Sequence, residues 1–549
     1  MIPVSVIYLI DNSTYLYLEM QCKYTKYEIK NLKNTLKSFY LQNESSEQIS
    51  NFIPLNYTGQ IDMKFSKYIL LTTVLLLSGT AIMQGQELKV YWNNVVSVSR
   101  TTPTLQLVEN PMVRNSSPIH KQVFKALSDL HANYVRYVPW FPYPKLAVAE
   151  LTPPTLTNTS WDFNYPDSTM NAFMEATKGH DVTVNFSTTP AWMWKTTDKV
   201  TYPENAYQTC WSYNQGTELR DTTLKEITGY YVRLFSWYTK GGFTDELGKY
   251  HHSGHFYKIP YWEVLNEPDL EHNISPQLYT KIYDAIVEGL KKISPDTKFI
   301  GISAALMINP EYFEYFLNPA NHKAGIKVEG ISYHHYSSPS ESTQPIEWYQ
   351  YTLFEKADGF LDKVRYVESI RKRLAPKSFT MINEIGVIMN FTDPVKIPKE
   401  YWNLAGAMYA YIFLELTKMG IDVAGESQLV GYPGQFPDVS MVNWENGNPN
   451  ARYWVLKLLI DNIHPGDKLV KTDSGASGVV AQGFEGPDSK RILLINKKNT
   501  PIELKLPVEM NGATMSYVDS STGENPPAKT GLLNCKMTLK PFAVAVIDL

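Results

Sequence analysis

The chain has 549 residues, 43% hydrophobic and 19% charged, a globular composition with length for one large domain and a smaller one. A net charge of −4 with no basic stripe argues against a nucleic-acid partner. The three cysteines, Cys22, Cys210 and Cys535, make neither a disulfide framework nor a zinc spacing.

Residues 1–62 mix a strand-like run, Val4 to Ile10, with a polar stretch. Met63 opens a different pattern: Lys64 and Lys67, the apolar run Tyr68 to Leu77, then Ser78-Gly79-Thr80-Ala81. A basic stretch, a short apolar stretch and small residues are the layout of a secretory signal peptide, placed here at 63–86. The apolar run is short for a membrane span; a short anchor within a longer protein is the alternative. On this reading Met63 is the start, and 1–62 is an upstream extension or a misassigned start. The mature protein then begins between 82 and 87, secreted or periplasmic, with no stable membrane insertion once the leader is removed.

From 87 to 465 strand and helix signals alternate. Strand-like runs occur at 95–98, 134–138, 182–186, 262–265, 299–302, 328–333, 379–382 and 423–425. Between them lie helical segments. One runs from Ser275, a good N-cap, and Pro276 to Ile293; another runs from Lys399 to Lys418 and is closed by Gly420. About eight strand–helix units predict an α/β fold, a (β/α)8 barrel. After 465 the pattern becomes short alternating runs separated by Gly, Pro, Asn and Asp, which predicts a C-terminal antiparallel β-sandwich over 466–549. The segment near 87–92 is a candidate extra strand for it.

Two of the barrel strands end on glutamates. Tyr261-Trp-Glu-Val-Leu-Asn-Glu-Pro268 breaks at Pro268, which cannot donate to a sheet ladder, and leaves Glu267 at the strand's mouth. Phe379-Thr-Met-Ile-Asn-Glu384-Ile-Gly386 has the same form. By count these are strands four and seven, whose C-terminal ends face one site in a barrel of this kind. A carboxyl held at a buried strand end costs desolvation energy. Two of them in one cleft meet the needs of glycoside hydrolysis: one protonated to release the leaving oxygen, one ionised to attack or to activate water.

Strand six ends Ser332-Tyr333-His334-His335-Tyr336. With period two, His334 and Tyr336 share a face with Ser332 and reach the site if that face is inward; His335 does not. Tyr336 is then placed to hydrogen-bond Glu384 and keep it ionised. Arg136, in a strand otherwise made of Tyr and Val, needs a carboxylate: it holds Glu384 charged, or it pairs with Glu263 deeper in the barrel. The loop after strand three carries Trp192, Trp194, Tyr202, Tyr207, Trp211 and Tyr213, either a sugar-stacking wall or self-packing. Trp444 and Tyr432, after strand eight, are weaker candidates of the same kind. His251, His252 and His255 are close in sequence, but no carboxylate or Cys sits at useful spacing, so no metal is expected.

These motifs resemble those of clan A glycoside hydrolases. Trp262-Glu-Val-Leu-Asn-Glu-Pro268 is similar to the clan's strand-four acid/base motif, Ile382-Asn-Glu384 to its strand-seven nucleophile, and His334-x-Tyr336 to its strand-six pair. The order of motifs and the trailing β-sandwich look most like family 39, which includes β-xylosidases and α-L-iduronidases. The resemblance implies a retaining O-glycosidase without a cofactor, acting on plant or host polysaccharides or oligosaccharides. In it Glu384 is the nucleophile, Glu267 the acid/base, and Asn266 the hydrogen-bond partner of the sugar 2-hydroxyl. His334, Tyr336, Arg136, Trp192 and Trp444 complete the expected substrate site. One departure stands out: many clan members carry a Trp at the end of strand eight, where this chain has Glu426-Ser427-Gln428. An endo-acting clan A glycanase of family 5 or 30 type, or a silent carbohydrate-binding barrel, are the competing readings.

Overall fold

A computed structural model describes residues 2–11, 14–22 and 87–549, apart from 197–199, 214, 306, 308, 340–343 and 390–396. The expected leader at 63–86 lies outside the described residues. Ile2–Asp11 and Thr14–Cys22 form an antiparallel hairpin, Ile2 opposite Cys22, in a unit of its own. Among the described residues no helix is long and apolar enough to cross a membrane.

The second unit is built on eight parallel strands. They are β1 (Thr102–Val108), β2 (Val135–Val138), β3 (Val182–Val184), β4 (Tyr261–Glu263), β5 (Lys298–Ala304), β6 (Gly330–Ser337), β7 (Phe379–Val387) and β8 (Val423–Glu426). Each pairs with the next and β8 closes onto β1 through Val423–Thr102, making a (β/α)8 barrel. One main helix follows each strand: α1 (His120–Leu130), α2 (Asn164–Ala176), α3 (Lys225–Thr239), α4 (Pro276–Lys291), α5 (Pro310–Phe316), α6 (Ile346–Leu374), α7 (Lys399–Met419) and α8 (Ala451–Asn462). The caps are those expected from sequence. The Ser275 side chain accepts from the Leu278 amide, and Gly420 ends α7 at φ +75°, a left-handed conformation that Gly adopts without steric cost.

Alternation sorts the strand residues into layers. Trp262 points outward, fully buried against Tyr231 and Phe235 of α3, while its neighbour Glu263 points into the barrel. An apolar layer of Tyr261, Ile300, Met381 and Val423 fills the N-terminal end. Above it the interior turns polar, with Gln106, Arg136, Asn185, Glu263, Ser303, Ser332 and Asn383 all buried. Such a layer survives burial only if each group finds a partner, and this requirement shapes the site.

The antiparallel part has a seven-stranded sheet and a two-stranded one. The large sheet runs in the order Ala528–Gly531, Thr514–Val518, Val544–Asp548, Lys490–Asn496, Val479–Glu485, Lys468–Asp473, Lys89–Val98. Ile492 and Leu494 face the two-stranded sheet and meet Leu504 and Met537 there; Leu493 and Ile495 face the other way and join the barrel's hydrophobic core. The run at 95–98, expected as a barrel strand, instead lies in Lys89–Val98 at the edge of this sheet, so the barrel does not begin at 87. The first barrel strand is Thr102–Val108. Its inward Thr104 and Gln106 and the break at Pro103 left it without a strand signal, although its pairing with β2 places Gln106 beside Arg136.

Candidate active site at the C-terminal end of the barrel

The peptide chain turns sharply where β4 ends. Leu265 and Glu267 have left-handed φ values of +60° and +43°, and the Glu267 carbonyl accepts from the amides of Leu270 (2.8 Å) and Glu271 (2.7 Å). Non-glycine residues held in this region carry strain of about 1–3 kcal/mol each and cluster at functional sites. Here the turn puts Asn266, Glu267 and Glu271 on one wall of a cavity of about 650 Å³ at the strand ends, with Glu384 from β7 on another wall.

Arg136 is the fixed centre. Fully buried, it donates Nε to Glu263 Oε2 at 2.6 Å, Nη1 to Gln106 Oε1 at 2.7 Å and to Glu384 Oε1 at 2.5 Å, and Nη2 to Asn266 Oδ1 at 2.6 Å and Ser303 Oγ at 3.0 Å. Both partners weighed from sequence are therefore present at once. Burial alone would raise the Glu263 carboxyl; the Arg136 charge and the Ser332 and Asn185 hydrogen bonds outweigh it and hold the group below its ordinary value.

Glu384 receives a second donor, the Tyr336 hydroxyl, at 2.5 Å on Oε2. Burial and the Glu384 charge push the Tyr336 phenol well above its ordinary value, so it remains a donor. Glu267 has a different environment. Burial raises its carboxyl above the ordinary value, and the Glu384 charge adds to this; a hydrogen bond from His334 Nδ1, at 2.7 Å, opposes the rise without reversing it. His334 also meets Ser303 Oγ through Nε2 at 3.1 Å. Burial would lower the imidazole, but the charges of Glu384 and Glu267 raise it overall. Glu267, His334 and Glu384 offer atoms all within 4.8 Å of one another, the group among the described residues that comes close enough to hold a metal ion. Each is already engaged by protein partners.

The alternation inferred for β6 holds: His334 and Tyr336 point in, and His335 points out, stacked on Phe360 at 4.3 Å. The loop aromatics divide. Trp211 and Tyr213 line the cavity. Trp192, expected at the substrate, does not: its indole donates to the Glu150 carbonyl at 2.9 Å and its ring carries the Arg220 guanidinium at 5.0 Å. Trp194 stacks on His272 at 4.2 Å, Tyr202 bonds the Leu151 carbonyl, and Tyr207 carries Arg114. This loop is long enough to bury its own rings. Trp444 is also displaced, into a separate small cavity with Trp402, Asn443 and Glu524, because the segment after β8 folds back on itself; Tyr432 bonds Tyr143 instead. His251 and His255 pair with different carboxylates, Asp245 at 2.8 Å and Asp167 at 3.2 Å, and do not converge.

Several contributors escaped the sequence. Gln106 and Gln215 lie on polar positions with no motif. Trp140, after β2, forms an aromatic wall with Phe141, Trp211 and Phe436 at ring separations of 4.8, 5.5 and 5.9 Å. Glu271 follows Glu267 by one turn of chain. At the end of β8, Glu426 turns away to Arg452 at 2.8 Å, Ser427 bonds Tyr336 at 2.6 Å and Gln106 at 2.8 Å, and Gln428 lines the cavity. The wall that a strand-eight Trp would supply is thus built from the β2 and β3 loops and Phe436.

No family model matches the sequence, and no curated protein matches it. The fold is similar to solved glycoside hydrolase structures. A family 51 arabinofuranosidase from Xanthomonas axonopodis pv. citri superposes with a TM-score of 0.58 at 12% identity, covering 84% of this chain and 99% of that one. A family 30 endoxylanase from Clostridium papyrosolvens and a family 39 β-xylosidase from Caulobacter crescentus each give 0.52 at 14% identity, with 84% of this chain and 99% of theirs covered. At these identities the likeness establishes the barrel with its β-sandwich and does not single out family 39.

Proposed function

We propose that the protein is a retaining glycoside hydrolase of clan A, with Glu384 as nucleophile and Glu267 as acid/base. The observation that carries this reading is that Glu267 and Glu384 line one cavity and each turns an oxygen toward the other, within 4.8 Å, as a closely spaced pair does. Retaining pairs stand about 5–5.5 Å apart, and inverting pairs need about 6.5–9.5 Å for a water between them. The environments of the two groups support the same division of roles. Glu384 is cradled by donors suited to a carboxylate, and Glu267 is raised toward its protonated form.

In the first step a Glu384 oxygen attacks the anomeric carbon, the bond to the leaving oxygen breaks, and Glu267 gives that oxygen its proton. Glycosylation neutralises Glu384, which removes one cause of the raised Glu267 value. Glu267, now a carboxylate, takes a proton from water as the water oxygen attacks the anomeric carbon and releases Glu384. Export follows from the leader pattern at 63–86, and the family 39 assignment from the motif order.

The test is a panel of aryl β-xylosides, β-glucosides, α-arabinosides and α-iduronides. Glu384→Ala should lose more than about 10³-fold in turnover, about 4 kcal/mol of barrier. Glu267→Ala should keep its first step on substrates with good leaving groups, and azide should rescue the second as a glycosyl azide of retained configuration. A first product of inverted configuration would refute the mechanism.

A further inference from the structure

A third carboxyl lies in the same cavity and has no part in the two steps above. Glu271 is held by three donors. Oε1 accepts from the Trp140 indole at 2.8 Å and from Asn266 Nδ2 at 2.7 Å, and Oε2 accepts from Gln215 Nε2 at 3.0 Å. All three partners line the cavity, as does Glu271 itself. A carboxyl group offers about four lone-pair positions. Three are occupied here, and the remaining one, on Oε2, belongs to a group that is still partly accessible from the cavity.

The contact with Asn266 changes what that amide offers. Its Oδ1 is taken by Arg136 and Ser303, and one Nδ2 hydrogen is taken by Glu271. One amide hydrogen is left for a ligand, and its direction is set by Glu271. The same carboxyl fixes the edge of Trp140, whose face belongs to the aromatic wall. One side chain therefore ties together an amide donor, an aromatic plate and the remaining position on its own Oε2, all facing the same space.

We propose that Glu271 is a substrate-binding residue that hydrogen-bonds a hydroxyl of the bound sugar, forming with Asn266 a two-point clamp beside the Trp140 plate. The ligand class is a neutral sugar with free hydroxyls. This deepens the glycosidase reading and rests on it for the reaction, not for the binding. Burial, with the Glu267 carboxyl beside it, raises the Glu271 carboxyl above its ordinary value, and the open position on Oε2 meets a sugar hydroxyl as an acceptor when ionised and as an O–H donor when protonated. The groups facing it are Glu267 and, beyond that, Glu384, His334, Asp269 and Arg136.

A chemical double-mutant cycle tests the clamp. Wild type, Glu271→Gln and Glu271→Ala are assayed on p-nitrophenyl β-D-xylopyranoside, β-D-glucopyranoside and α-L-arabinofuranoside and on their monodeoxy analogues. A site built to hydrogen-bond a hydroxyl discriminates strongly against the analogue that lacks it. The variants should raise KM for the parent about tenfold or more with a smaller change in kcat, and one monodeoxy analogue should lose nothing further in the variant. If the parent and every analogue lose the same factor, Glu271 only supports the wall and the proposal is overturned. Glu271→Gln keeps the volume and serves if the Ala variant does not fold. If wild type hydrolyses none of the glycosides, the hydrolase reading fails, and binding of D-xylose, L-arabinose and D-glucose, read by tryptophan fluorescence, decides the clamp alone. Affinity about tenfold weaker in Glu271→Gln then supports it; equal affinity, or no binding to wild type, overturns it.

Discussion

Replacing Arg136 by Met keeps much of the side-chain volume and removes the guanidinium that bridges Glu263 and Glu384. Breaking a buried pair by deleting one partner costs about 3–5 kcal/mol, because the other charge is left uncompensated. That is a large share of the roughly 5–15 kcal/mol by which domains are stable. The pH dependence carries the sharper signature. In the wild type the Glu263 carboxyl is held below its ordinary value. Its contribution is fully present above the unfolded value of about 4.3 and is lost only as pH falls through the folded value. In the variant, burial acts on Glu263 without the opposing cation, so its folded value should rise above the unfolded one. The native state then binds the extra proton, and stability should fall as pH rises from about 5 to 8. Urea unfolding at several pH values, followed by fluorescence, measures both effects, and turnover should drop by about 10²–10³ through loss of the charge facing Glu384. An unfolding free energy within 1 kcal/mol of wild type, with an unchanged pH slope, would refute the account of Arg136 as the centre of the site.

Tyr336→Phe removes one of the two donors to Glu384 and should lower kcat by roughly tenfold to a hundredfold, since a hydrogen bond to a charged group is worth about 1.5–3 kcal/mol; steady-state kinetics on the best aryl glycoside reads this. His334→Ala removes the partner that opposes the rise of Glu267, so the alkaline limb of the kcat/KM profile should move to higher pH, and a shift to lower pH would contradict the assignment. Trp192→Ala and Trp444→Ala should leave KM within about twofold, because neither ring reaches the cavity. Trp211→Ala should raise KM severalfold by removing part of the aromatic wall.

The sequence carried most where a residue type had a single physical explanation. Glu267 and Glu384 stood out because a carboxyl at the end of an apolar strand is costly, although β4 stops earlier, at Glu263, and β7 runs past Gly386 to Val387. His334 and Tyr336 followed from a period of two. Arg136 was visible as a charge in an apolar strand, but its partners were not, since five acceptors from five other chain positions meet only when the barrel closes. Trp192 and Trp444 misled because density of aromatics on a loop does not reveal which rings the loop buries for itself. Trp140 and Glu271 were missed for the opposite reason: each looks ordinary alone, and only the tight turn after β4 brings the Glu271 carboxyl to the Trp140 indole. The first barrel strand was missed because Pro103 interrupts it and its inward side, Thr104 and Gln106, is polar.

The strand Lys89–Val98 has a consequence for how the molecule is made. It pairs with Lys468–Asp473, Lys89 opposite Asp473, so the first segment of this unit waits for nearly the whole barrel to be synthesised before it finds its neighbour. Contacts this distant along the chain slow folding, because loop closure must precede any gain from pairing. Meanwhile the segment exposes Val95, Val96 and Val98, and these stay half-exposed on the sheet's outer edge even after folding. An unpaired edge of this composition is a template for another chain. The nascent protein therefore passes through a period in which this strand is unpaired and open to association, and that period ends only when residues 468–473 leave the ribosome.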